Sequence, residues 1–262
     1  MTPISEHPID RRQLLRITAV AGASVVLGGG LVRGIIQRVG LKQIRETRSL
    51  MGTLVVISVI HPDREVARRI MADTFNEMER LESLLSRHRE GTPIWSLNQS
   101  GVVDSPPREV IEVVERAMEY ATLTDGAFDI TVTPLLDLYT SSFTERDTHP
   151  SAQELSRALA LVGSANVTVG RGMISLEKAG MAITLDAIAK GYIVDRAVSV
   201  LNDQGVERVL VDAGGDMSSS GEGLLGGGWK IAIQDPRARD RALGTLELQG
   251  ESIATSGDYV QY

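Results

Sequence analysis

The sequence predicts an α+β fold. Short β-branched runs cluster along the chain instead of alternating one by one with helices, and a few segments repeat their apolar residues at helical spacing. No internal repeat or low-complexity tract is present. At 262 residues and 42% hydrophobic content, the chain is long enough for one sizeable core or two small ones.

The first strand is TLVVISVI, residues 53–60, bounded by Gly52 and His61-Pro62. From Asp63 the period changes: Val66, Ile70, Phe75, Met78, Leu81 and Leu85 fall three to five residues apart, which predicts an amphipathic helix ending near Ser86. Pro107 opens a second helix with Val110, Ile111, Val114, Ala117, Met118 and Ala121 on one face. Ser151 and Glu154 have the spacing of a capping box, at the start of a short helix expected to end at Gly163. Strands are expected at 165–169 and 173–177, with Gly170 and Gly172 allowing a tight hairpin. Further strands are expected at 181–185, 207–213, 229–235 and 243–248, with a helix over about 188–204 closed by Gly205. The polar stretch 139–150 reads as a flexible loop and a candidate boundary between two subdomains.

Charge is uneven. Residues 1–45 carry seven Lys or Arg against Glu6 and Asp10, and taking this +5 from the whole chain's −7 leaves −12 on the rest. An acidic body argues against nucleic acid as a partner, because phosphate backbones are held by clustered cations. The absence of cysteine excludes disulfides, thiolate metal sites and a lipid-modified N-terminal cysteine.

Arg11 and Arg12 stand before Leu14, Leu15 and a chargeless apolar stretch at 17–32, a secretory layout. The paired arginines resemble a twin-arginine signal. Residues 1–45 are therefore read as an export segment and 46–262 as the folded domain, placed in the periplasm or on the outer face of the cytoplasmic membrane. The apolar stretch has 16 residues, including Gly22, Gly28, Gly29 and Gly30. That falls short of the ~17–25 of a spanning helix. No small-x-small cleavage site stands out before Arg33, so a membrane tether through an uncleaved signal stays open. The triple glycine is not read as a phosphate loop, since no strand precedes it.

Four stretches carry chemistry. In ITLDAIAKGY, residues 183–192, a strand is expected to run into a helix whose first N–H groups point outward and attract phosphate. Ala187, Ala189 and Gly191 allow close approach and Lys190 adds charge; a packed strand-to-helix turn with a solvated lysine is the alternative. In VLVDAGGD, residues 209–216, two acids beside glycines either approach a metal or ribose or simply cap a turn. Residues 124–132 (TDGAFDITV) and 253–259 (IATSGDY) put small residues beside an acid and an aromatic, which suits a flat ring resting on backbone. A helix end followed by a strand serves equally well for either.

Taken in order, Met51-Gly52-Thr53 before the first strand, Leu84-Leu85-Ser86 with Asn98 beyond it, TDGAFDITVTPLLDLY, LDAIAKGYIVDRA, VLVDAGGDM, WKIAIQDPR and ATSGDY resemble the ApbE-like flavin transferase family, FAD:protein FMN transferases, from residue 51 to the last residue. The resemblance implies an ApbE-like fold of two mixed α/β subdomains. It also implies Mg²⁺-dependent transfer of FMN from FAD to a Thr or Ser hydroxyl of an acceptor flavoprotein of a membrane electron-transfer complex, with release of AMP. Carried over by position, Met51, Ala127, Phe128 and Asp129 lie against FAD, His88 replaces an aromatic that packs on the flavin, and Thr184 and Lys190 add FAD contacts. The Ala187 carbonyl faces Mg²⁺. Many members read Leu-Asp-Leu-Gly-Gly where this chain has Ile-Thr-Leu-Asp-Ala, and Asp186, two residues along the expected strand from Thr184, is assigned to the metal.

The family's pattern also continues past ATSGDY into a segment that supplies Mg²⁺ ligands. The 262-residue chain is expected to be missing that C-terminal part and to show weak or no transfer. No general base is assigned: His7 falls in the export segment, His61 and His149 lie beside prolines, and His88 is given to stacking. Two rival activities stand beside transfer. One is hydrolysis of FAD to FMN and AMP; the other is a non-catalytic flavin-binding assembly role in a periplasmic electron-transfer system.

Overall fold

A computed structural model describes residues 40–235 and 237–256. Residues 1–39 of the segment expected to direct export, and the Gly257-Asp258-Tyr259 end of the last motif, lie outside the described residues. The elements in chain order are β1 (Lys42–Leu50), β2 (Thr53–His61), α1 (Arg64–Leu85), α2 (Pro93–Ser100), β3 (Val102–Asp104), α3 (Arg108–Leu123), α4 (Thr133–Arg146) and α5 (Ala152–Leu159). They continue with β4 (Val167–Gly170), β5 (Met173–Leu176), α6 (Ala189–Asp203), β6 (Val209–Ala213), β7 (Asp216–Ser220), β8 (Trp229–Asp235), β9 (Ala238–Leu248) and β10 (Ser252–Ile253). Two compact units result: residues up to Met78 with those from Ile193 onward, and Glu79–Tyr192. Among the described residues no helix is long and apolar enough to cross a membrane.

The first unit is organised by an antiparallel sheet in the order β1-β2-β6-β7-β10, with β8 and β9 as a separate hairpin. Val55, Ile57 and Val59 alternate along β2 and face Ala213, Val211 and Val209 of β6, and all six are fully buried. This period-2 register fixes the pairing, because a slip of one residue would turn the whole apolar row outward. A satellite cluster of Ile60, Leu210, Trp229, Ile231 and Leu248 packs beside it. The Trp229 indole N–H donates to the Ser220 carbonyl (3.1 Å), which satisfies the polar end of a buried ring. The guanidinium of Arg48 lies 4.6 Å from the ring centroid of the buried Phe75.

β1 is absent from the sequence reading. Its segment KQIRETRSL buries only Ile44, so it carries almost no apolar pattern. It starts at Lys42, inside the 1–45 interval assigned to export, and Met51 and Gly52 form the turn that joins it to β2 rather than preceding a first strand.

The second unit holds a three-stranded sheet, β3-β5-β4, and α2 to α5. α3 buries Val110, Val113, Val114, Ala117 and Ala121, and Glu109 pairs with Arg80. The capping box is present. Ser151 Oγ accepts from the Glu154 N–H (3.3 Å), and Glu154 Oε2 accepts from the Ser151 N–H (2.7 Å). Hydrogen bonds from the Ser151 side chain and backbone, and then from Arg146, hold the Glu154 carboxyl down to about 2. The helix it opens ends at Leu159, short of Gly163, because the Leu161 and Val162 N–H groups turn back to Ala158 and Leu159.

Two expectations are corrected here. The stretch 139–150 is not a loop or a boundary: through Arg146 it is α4, with Tyr139 and Phe143 stacked one turn apart (6.3 Å, 22°) and Arg146 bound to Ser142 and Glu154. Residues 181–185 are not a strand. The Ile183 N–H donates to Asn98 Oδ1 (2.8 Å) and Asn98 Nδ2 donates to the Ile183 carbonyl (2.8 Å), so a side-chain amide takes the place of a neighbouring strand. Asn98→Ala leaves both groups of the fully buried Ile183 unpaired. At about 1–3 kcal/mol for each of the two buried orphans, urea unfolding is expected to show a loss of roughly 2–6 kcal/mol; a midpoint shift worth under about 0.5 kcal/mol would contradict this account.

Candidate functional site

In the second unit, the segment after α3 is a chain of caps. Asp125 and Gly126 take positive φ (50° and 79°), and the Phe128 N–H donates to Thr124 Oγ1 (3.0 Å). The backbone then enters a 3-10 turn at Ile130–Val132, not the strand considered from sequence, because Asp129 caps it. Asp129 Oδ1 accepts from the Thr131 N–H (2.8 Å) and hydroxyl (2.6 Å), and Oδ2 accepts from the Ser164 N–H (3.0 Å). Thr131 Oγ1 in turn accepts from the Gly163 N–H (2.7 Å). Partial burial pushes the Asp129 carboxyl up, but the hydrogen bonds from Thr131 and Ser164 outweigh it and leave the pKa below its ordinary 3.8. Phe128 sits edge-on to Tyr120 (6.0 Å), while Ala127 is exposed.

The 181–190 segment lies against this cap, since the Thr184 N–H donates to the Ile130 carbonyl (2.8 Å). Thr184 is buried and its Oγ1 accepts from the Asp186 N–H (3.2 Å). Without a strand the two-residue rule lapses: the Asp186 side chain is 57% exposed and does not share a face with Thr184. The Ile188 and Ala189 N–H groups donate to the Leu185 carbonyl (2.9 and 2.7 Å), so these amides are used internally, not aimed outward as the strand-to-helix reading expects. Ala187 is exposed, and Lys190 stands in the first turn of α6.

Sequence reasoning missed Arg87. Its Nη1 lies 3.2 Å from Asp137 of α4 and its Nε 3.5 Å from Asp186, and His88 Nε2 is 3.8 Å from the same Asp186 carboxylate. The only sequence signal was the placement of an Arg-His pair just after LLS. Ala187, assigned to Mg²⁺ by resemblance, and Asp186, assigned to it by its two-residue spacing from Thr184, do not make a cation cage. The Asp186 carboxylate already faces a guanidinium, and the described residues contain no group of three or more His, Cys, Asp or Glu that would hold a metal. A groove of about 470 Å³ in this unit is lined by Asn98, Gly101, Ser175, Lys178 and Met181 among others, and none of the residues expected to contact flavin lines it.

In the first unit, Met51 (φ 51°) and Gly52 (φ 70°) form a two-residue hairpin turn of the primed kind. A methionine there holds the left-handed region at a cost that tends to be found near ligands. Asp212 caps the turn at Gly214 and Gly215, accepting from the Gly215 N–H (3.1 Å), so the turn-capping reading is the one seen. A methyl group on Gly214 would run into Thr53 Oγ1 and one on Gly215 into Thr255 Oγ1, and Thr255 donates to the Gly215 carbonyl (3.1 Å).

A family model described as the ApbE family matches residues 51–262. The chain belongs to the ApbE family. ApbE-family relatives include an FAD:protein FMN transferase of Klebsiella pneumoniae, 31% identical over 220 residues that make up 81% of this chain and 66% of that protein. One of Salmonella typhimurium is 29% identical over 81% of this chain and 63% of its own length. The chain thus spans just under two thirds of these curated relatives. Among solved structures, the flavin transferase ApbE from Vibrio cholerae is 27% identical with a TM-score of 0.75, covering 85% of this chain and 74% of that one. The apo flavinyl transferase ApbE of Pseudomonas stutzeri is 28% identical at 0.74, covering 85% and 70%. The mixed α and β architecture expected of an ApbE-like fold is thereby shown.

Because the folded-state pKa of Asp129 is depressed, its contribution to stability is present above 3.8 and is lost as pH falls through the lower folded value. Asp129→Asn is expected to be less stable than the parent at neutral pH, with the gap narrowing below about 3.8 in thermal melts. A gap that stays constant down the acid limb would contradict the assignment.

Proposed function

We propose that the chain transfers FMN from FAD to a Thr or Ser hydroxyl of an acceptor flavoprotein. The observation that carries this reading is the ApbE family match over residues 51–262, shared with relatives named FAD:protein FMN transferases. The acceptor hydroxyl oxygen attacks the FMN phosphorus of FAD. A new P–O bond forms, the bond from that phosphorus to the bridging oxygen breaks, AMP leaves with the electron pair, and the hydroxyl proton passes to water. Such a reaction depends on alignment and charge neutralisation more than on covalent chemistry by the enzyme.

The chain's own residues supply those terms in this reading. Lys190 brings positive charge to the pyrophosphate, and buried Thr184 ties the 183–190 segment to the Ile130 carbonyl. His88 offers an exposed ring to the flavin, and Ala127 and Phe128 a small and an aromatic surface. Asp129 acts as the cap that shapes their backbone; in the first unit, Met51 stands in a tight turn and is assigned to FAD by the family resemblance alone. Mg²⁺ belongs to the proposal as a companion of the substrate's pyrophosphate, since hard cations of this kind bind through substrate phosphates and a few carboxylates. Export through the twin-arginine-type segment and an acceptor in a membrane electron-transfer complex complete the reading, with the enzyme working on the periplasmic side.

The test incubates the purified chain with FAD, Mg²⁺ and a candidate acceptor flavoprotein, followed by intact-mass spectrometry. The acceptor is expected to gain the mass of an FMN phosphoester, in the low yield that the sequence predicts for this chain; EDTA is expected to suppress the gain, and Lys190→Ala to slow it by roughly 10- to 100-fold. Release of FMN and AMP with an unmodified acceptor would replace transfer with hydrolysis. Bound FAD that never turns over would replace it with a flavin-binding role.

A further inference from the structure

Arg87 is the least exposed member of a charge cluster in the second unit: its side chain is 17% accessible, against 61% for Asp137 and 57% for Asp186. The three residues come from three separate places in the chain: the segment just after α1, helix α4, and the loop leading into α6. A planar guanidinium can address two carboxylates at once, each through a different nitrogen, and here Nη1 serves Asp137 while Nε serves Asp186. A lysine, with one compact ammonium, lacks that fork.

The location gives the cluster its meaning. Asp186 is separated from Lys190 by four positions, and the intervening residues form the approach to α6 that the proposed function assigns to the pyrophosphate. A bare carboxylate at 186 would repel an anionic ligand there, and a second one at 137 would add to it. The chain meets the acid at 186 with an arginine placed 99 positions earlier, whose side chain is mostly withdrawn from solvent.

We propose that Arg87 is a positioning residue which offsets part of the negative charge of Asp186 and Asp137 and holds the 183–190 segment in the form that accepts an anionic nucleotide. Asp186 is accordingly Arg87's partner and not a metal ligand. The inference rests on the flavin-nucleotide reading above for the identity of the anion.

The experiment measures FAD binding by flavin fluorescence at low and high ionic strength, with Mg²⁺ titrated, for the parent, Arg87→Gln, Arg87→Lys, Asp186→Asn and the Arg87→Gln/Asp186→Asn double variant. Arg87→Gln is expected to weaken binding about tenfold by unmasking the two carboxylates. The loss should shrink at high salt, because both acids are exposed. Arg87→Lys should recover part of it, and the double variant should bind more tightly than Arg87→Gln alone. Asp186→Asn alone should leave the Mg²⁺ requirement unchanged. A merely structural role for Arg87 would not produce rescue by removing a second charge. The inference is overturned if Arg87→Gln binds FAD as the parent does, if Asp186→Asn raises the Mg²⁺ requirement tenfold or more, or if the double variant is no better than Arg87→Gln. Failure of the parent itself to bind FAD would instead defeat the flavin-nucleotide reading, and this inference with it.

Discussion

The second unit turns on one side-chain amide. Asn98 gives residue 183 an acceptor and a donor in a single planar group, so a buried stretch of chain is satisfied without a partner strand. A strand there would have paired residue after residue and imposed alternating faces. Here the attachments are few: the Asn98 amide at Ile183 and the Ile130 carbonyl at Thr184. The chain can therefore bury Ile183, Thr184 and Leu185 in succession and then emerge at once with Asp186 and Ala187 in solvent. The short approach to α6, with its small residues and its lysine, exists in this form because the anchor is local.

Around that anchor the polar groups are arranged as a relay of caps. Asp129 fixes Thr131 and Ser164, Thr131 fixes Gly163, and the Ile130 carbonyl receives Thr184. Each link spends a donor or acceptor on another segment of the same unit, which keeps irregular backbone rigid without regular ladders. Outside it, the exposed carboxylates of Asp137 and Asp186 flank the largely covered Arg87, and their solvent-screened charges make a softer layer. Rigidity inside and adjustable charge outside would suit the anion-binding role proposed for this surface.

Much of this was legible in sequence, and the exceptions have physical causes. β2, α3, the capping box and β8 carry strong apolar periods or a cap whose chemistry is local, and the structure places them within a residue or two of expectation. The motif order from Met51 onward identified the family. β1 was missed because its burial rests on Ile44 alone, and α4 because polar residues surround the aromatic pair that marks its turn. Residues 181–185 misled because their pattern is that of a buried strand; the partner was a side chain 85 positions away, which no local period reports. Arg87 escaped for the same reason, since its partners lie 50 and 99 positions downstream.

The topology also sets an order of events as the chain is made. Glu79–Tyr192 is one uninterrupted stretch, whereas the first unit's sheet pairs Val55–Val59 with strand residues that appear only from Val209 onward. The β1–β2 hairpin closes over two residues and needs nothing else, yet its inner neighbour emerges from the ribosome about 150 residues later, after the whole of the second unit. Until then the row Val55, Ile57 and Val59 has no ladder partner on that edge. The host unit therefore has the higher contact order and the slower assembly, and its half-built edge is the surface that a nascent chain most needs to keep from pairing with another copy.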